Sequence, residues 1–210
     1  DASGSWPVQR TQSDDNQGGF AVSPDGSKLF YTQDKGGNEQ YDVYAVPTAG
    51  GAAKNLTNTP ELREDSLLAS PDGRAMAMST KKSGEGQVNL AVMDMASGQV
   101  RALTHEADPQ WRWSAVAWTD GGRSLIANRS SGDGTSNEVW KVDIASGKAA
   151  KLLGAPGVVY SASDATRDGS LIALTTNAQT KQLHATVYSP STGEKAAGSV
   201  TLTLTTVGNG

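Results

Sequence analysis

The chain contains no cysteine, which excludes disulfides and thiol chemistry and leaves the compartment open. Histidine occurs only twice, as His105 and His184, and neither has a cysteine or carboxylate at ligand spacing. No metal site is expected, and no residue pattern calls for a cofactor. No apolar run approaches the roughly eighteen residues of a membrane helix. A net charge of −4, with both signs interspersed, predicts solubility and identifies no partner. The lack of a basic stripe excludes nucleic acid as the expected partner. Helical patterning is missing as well. Gly or Pro breaks the chain too often for a 3.6-residue apolar period to persist.

What is present is a repeat. Ser23-Pro24-Asp25-Gly26 returns as Ser70-Pro71-Asp72-Gly73, and in worn form as Trp118-Thr119-Asp120-Gly121 and Thr166-Arg167-Asp168-Gly169. The aspartates stand at 25, 72, 120 and 168, so the steps are 47, 48 and 48 residues. In each turn Pro presets φ, Asp bonds its own backbone and Gly accepts positive φ. A short apolar run precedes each turn, such as Phe20-Ala21-Val22 or Leu67-Leu68-Ala69, and a second strand follows at once. A polar loop, a third strand, another Gly turn and a fourth strand complete the unit. Four antiparallel strands per unit of this length predict the blade of a β-propeller. A sandwich has no reason to repeat turn residues at a fixed period.

The Ser-Pro-Asp-Gly hairpin, the third strand ending Asp94-Met95-Ala96-Ser97-Gly98 and the closing Arg101-Ala102-Leu103-Thr104 resemble the TolB-type propeller repeat. The segment Asp42-Val43-Tyr44-Ala45-Val46-Pro47, with Gly50-Gly51 and Asn55-Leu56-Thr57, is most similar to the N-terminal propeller of prolyl oligopeptidase-family serine peptidases. That resemblance implies a non-catalytic ring that gates peptide access to a hydrolase domain bearing a Ser-Asp-His triad. The nucleophile elbow needs Gly-x-Ser-x-Gly between a strand and a helix, and no stretch here has it. The catalytic residues of the family therefore map to no position. The alternative is a free-standing TolB-like propeller that binds a protein or peptide. Fold analogy carries both readings.

The expected blades are roughly 18–60, 61–106, 107–155 and 156–207. Residues 7–12 align with a fourth strand, as if from a neighbouring or closing blade. Ser199 to Val207 alternates Thr with apolar residues and predicts a strand, either the last of the fourth blade or the first of another. Propellers have about four to eight blades, so four could close alone or form part of a larger ring. An open array would leave edges that favour self-association of two copies. The chain opens with Asp1, which points to a removed leader or upstream region; an exported mature protein is slightly favoured over a cytoplasmic one.

Two groups stand out as candidate binding residues. Glu61, Arg63 and Glu64 are expected in an inter-blade loop, where they could grip a peptide terminus. Trp111, Arg112 and Trp113 are expected in the next such loop, and Trp and Arg are the types enriched at binding hot spots. The competing reading has Trp111 or Trp113 plugging the gap between blades. Gly132 to Glu138 is oxygen-rich but lacks the carboxylate ladder of a calcium loop, so it reads as a turn. Asn55-Leu56-Thr57 and Asn128-Arg129-Ser130 match the glycosylation pattern on predicted strands, where the match is read as accidental.

Overall fold

The computed structural model describes residues 7–178 and 184–191. It is all-β, in four antiparallel sheets. The first runs β1 (Gln17–Val22), β2 (Lys28–Gln33), β3 (Asp42–Pro47), β4 (Lys54–Asn55). The second runs β5 (Leu62–Ala69), β6 (Ala75–Lys82), β7 (Asn89–Asp94), β8 (Val100–Ala102). The third runs β9 (Trp111–Thr119), β10 (Ser124–Ser131), β11 (Asn137–Asp143), β12 (Ala149–Leu153). The fourth holds β13 (Tyr160–Ala165), β14 (Ile172–Thr176) and β15 (His184–Tyr188). Every sheet is a simple meander, which is the blade of a propeller. The strand expected at 199–207 lies outside the described residues.

The repeated turn works through one hydroxyl. Ser23 Oγ donates to Asp25 Oδ1 at 2.6 Å and accepts from Lys28 N–H at 2.9 Å. Ser27 N–H donates to the same carboxylate oxygen at 3.0 Å, and Gly26 turns the corner at φ 71°. Ser70 with Asp72, and Thr166 with Asp168, repeat this set of bonds. Such donors hold the Asp25 and Asp168 carboxyls down at about 2. The third copy departs. Trp118 occupies the place of the hydroxyl, so Asp120 has none two residues before it. It adopts φ 53° in a single 3-10 turn, Asp120–Gly122, and pairs with Lys141 Nζ at 2.7 Å.

Residues 7–12 are not a strand, which corrects the expectation for them. A strand needs a neighbour to take up its N–H and C=O groups, and residues 7–12 join no ladder. The first strand of each sheet is longer than its apolar run. The pairing of β1 with β2 slips between Gly18 and Ala21, that of β5 with β6 between Asp65 and Leu68, and that of β13 with β14 between Ala162 and Asp164. A bulge resets the in/out alternation, so the polar half before it reads as loop in the sequence.

The described residues divide into two compact units, the first ending at Ala115 and the second starting at Val116. In the first, Phe30 and Val43 of one sheet meet Met76, Met78, Ala91 and Met93 of the next. In the second, Ile126 and Val139 meet Ala162, Ile172 and Leu174. The period-2 spacing of Met76/Met78 and of Ile172/Leu174 puts each pair on one sheet face.

Candidate functional site

The segment 61–65 is not an inter-blade loop, as the sequence reading had it. Glu61 is exposed on the connection, while Arg63, Glu64 and Asp65 lie inside β5. Alternation along the strand then separates them. Glu64 is 0% exposed. Its Oε2 accepts from Thr57 Oγ1 at 2.6 Å and from Val43 N–H at 3.2 Å, and its Oε1 accepts from Thr59 Oγ1 at 2.6 Å. Burial pushes its carboxyl up from the ordinary value, against the pull of those donors. Glu64 is thus out of reach of any peptide terminus at the surface. Arg63 shares the other face with Asp65, at 3.5 Å, and its guanidinium lies 4.8 Å from the centre of the Tyr41 ring.

Trp111, Arg112 and Trp113 also belong to a strand, the start of β9, and not to a loop. Val88 N–H donates to Trp111 O at 3.2 Å, Trp113 N–H to Val88 O at 3.1 Å, and Ser79 Oγ to Trp113 O at 2.9 Å. These bonds clamp the strand start to the second sheet. Trp113 is buried and donates Nε1–H to Glu106 Oε2 at 3.1 Å, so it fills a gap in the packing. Trp111 is half-buried and Arg112 exposed.

The two groups meet at one place. A cavity of about 240 Å³ in the first unit is lined by Arg63, Lys81, Arg112, Asp65, Ser66 and Trp113, among others. Glu61, Glu64 and Trp111 are not part of its lining. Lys81 and Ser66 were missed by sequence reasoning. The signal for Lys81 was its cross-strand register with Arg63, which the bulge hid. The chemistry of the cavity is cationic: three bases face one carboxylate, with an indole wall beside them.

Ser66 carries a second signal. Its φ is 55°, a left-handed conformation that costs a residue with a Cβ roughly 1 kcal/mol. The counterpart 47 residues earlier is Gly19, φ 59°, where a Cβ would stand 2.9 Å from Thr32 Oγ1. Ser66→Gly is expected to stabilise the protein by up to roughly 0.5 kcal/mol in urea unfolding, net of the chain entropy of glycine. A loss of stability would mean that the serine hydroxyl contributes more than the strain costs.

Other candidates resolve into structure. Asp133 accepts from Ser131 Oγ at 2.6 Å and Thr135 Oγ1 at 2.9 Å, which makes its loop another hydroxyl-Asp turn. Asn55 Nδ2 donates to Asp42, and Asn128 exchanges two hydrogen bonds with the Ala162 backbone, so both amides of the glycosylation patterns are engaged.

No family model and no curated protein matches the chain. Solved structures do. TolB from Acinetobacter baumannii is 21% identical over 88% of this chain and 44% of its own, with a TM-score of 0.64. Oligogalacturonate lyase from Vibrio parahaemolyticus is 15% identical over 88% and 53%, TM-score 0.63. Prolyl oligopeptidase B from Galerina marginata is 15% identical over 86% and 28%, TM-score 0.64. The chain spans little more than half the length of these proteins at most. The fold is that of a TolB-like propeller, shared with proteins of quite different chemistry.

Proposed function

We propose that this chain is a non-catalytic propeller module that binds peptide, and that beside a hydrolase domain it gates peptide access as in prolyl oligopeptidase-like peptidases. The observation that carries the binding part is the cavity where Arg63, Lys81 and Arg112 converge on the wall formed by Trp113. Arg and Trp are the residue types that anchor peptide and protein partners. The gating part rests on the repeat's resemblance to that family's propellers. A free-standing TolB-like module holding a protein partner is the second reading, supported by the same cavity. Identity of fold does not choose between them, because function lives in the residues grafted on the fold.

Titration of the protein with extended peptides, followed by tryptophan emission, tests the binding part. Saturable change is the expected result, and hydrolysis of the peptide by this chain alone would overturn the non-catalytic reading. The open reading frame that encodes the chain separates the two settings: a downstream Gly-x-Ser-x-Gly elbow supports gating, and none supports the free-standing module. Self-association belongs to the same proposal. Phe20 and Val22 are 60% and 55% exposed on β1, apolar side chains that an adjoining sheet would bury. Light scattering should then give about twice 21.8 kDa, and a monomer would remove this part.

A further inference from the structure

Resting on that peptide-binding reading, we infer that the cavity receives a carboxylate of the bound peptide, either its C-terminus or an acidic side chain. Arg63 and Lys81 stand directly opposite each other in the β5–β6 ladder. Like charges in that position repel, which is a local cost the fold does not need. Asp65 offsets it only in part, because it pairs with Arg63 at 3.5 Å. Lys81 and Arg112 form no ion pair among the described residues. The cavity thus holds two cations in excess, in a chain whose net charge is −4. An entering carboxylate would supply the missing counter-charge and accept charge-assisted hydrogen bonds from a guanidinium fork and an ammonium.

Size and walls narrow the ligand. About 240 Å³ is below the range of whole small-molecule sites and suits one residue of a longer chain. Val88 and Trp113 offer apolar wall for the carbon part of that residue. The polarity is opposite to what Glu61 and Glu64 would provide for an amino terminus. The geometry therefore assigns the acidic end or an acidic side chain of a peptide to this place.

The test uses the full chain and one neutral heptapeptide scaffold in four forms: both ends capped, free C-terminus, capped with one central Glu, and capped with one central phosphoserine. Calorimetry at low and moderate salt should show the free-acid or Glu form binding at least tenfold tighter than the capped form. Which of the two binds identifies the source of the carboxylate. Arg112→Ala and Lys81→Ala should each erase most of that preference. Arg112→Lys should retain part of it, and Lys148→Ala, outside the cavity, should leave it unchanged. Arg112 is exposed, so folding of its variants is expected to be intact. Equal binding of all four forms would overturn the inference and leave peptide binding standing. A preference for phosphoserine alone would overturn the carboxylate assignment. Failure of every form to bind would overturn both the inference and the reading beneath it.

Discussion

Glu138→Ala should cost the second unit about 3 kcal/mol, read as a fall in the urea midpoint. Glu138 is 8% exposed on β11 and gathers three donors. Arg129 Nη1 lies 3.1 Å from its Oε2, Lys151 Nζ 2.6 Å from its Oε1, and Trp140 Nε1 2.9 Å from its Oε2. Lys151 also lies 5.3 Å from the centre of the Trp140 ring. Removing the carboxylate takes the acceptor at 3.1 Å away from a largely buried guanidinium, and that is the costly step. The Lys151 side chain is 44% exposed and can turn to water, which keeps the loss at the low end for a broken buried pair. Replacing both partners, as Arg129→Met with Glu138→Leu, should recover most of the loss, since an apolar pair has no charge to strand. A loss under about 1 kcal/mol for the single variant would mean that the network contributes little. Burial raises the Glu138 carboxyl, but Lys151, Arg129 and Trp140 outweigh it and the net shift is downward. A depressed folded value means stability that is present above the unfolded value near 4.5 and is lost as pH falls through the folded value.

Glu64 should behave in the opposite sense. Desolvation dominates, the folded value lies above 4.5, and the native state holds the proton more tightly than the unfolded chain. Its stabilisation is fully present below pH 4.5 and is lost as pH rises through the folded value, at no more than about 1.4 kcal/mol per pH unit. A protonated Glu64 can donate to Thr59 Oγ1, whose own hydrogen then serves Asp42 Oδ1 at 3.2 Å. Urea unfolding across this range should show the decline in the wild type and a flat profile in Glu64→Gln. An unchanged slope in that variant would sink the assignment. Glu64→Ala, which empties a buried site and leaves the hydroxyls of Thr57 and Thr59 without that acceptor, should cost about 2–4 kcal/mol below pH 4.5, and less as pH rises and the wild type declines. The turn carboxyls at about 2, Asp25 and Asp168, titrate well below this window and leave it clear.

The propeller was legible because its signal is local and repeated. A Ser/Thr-x-Asp-Gly turn needs only six residues to make its bonds, and three copies make the same ones. The end of the third strand Asn89–Asp94 was read correctly, where the continuous apolar run Leu90 to Met93 gives way to Asp94. The worn copy at Trp118 was read as equivalent to the others, yet the loss of one hydroxyl changed its conformation. Even there, the sequence placed a turn between two strands correctly.

The candidate site was legible only as an inventory. Arg63, Arg112 and Trp113 were singled out by type, but their joint lining of one cavity depends on strand pairing across about fifty residues. The bulges concealed it. Each lets the polar start of a first strand pass for loop, and with the strand goes the alternation that sends Glu64 inward and Arg63 outward. Composition, turn chemistry and period are properties of the chain itself and determine the blade, because they act over a few bonds. Burial, counter-charge and register arise when distant strands meet. They turned an expected acidic clamp into a cationic pocket, and only the tertiary structure could decide that.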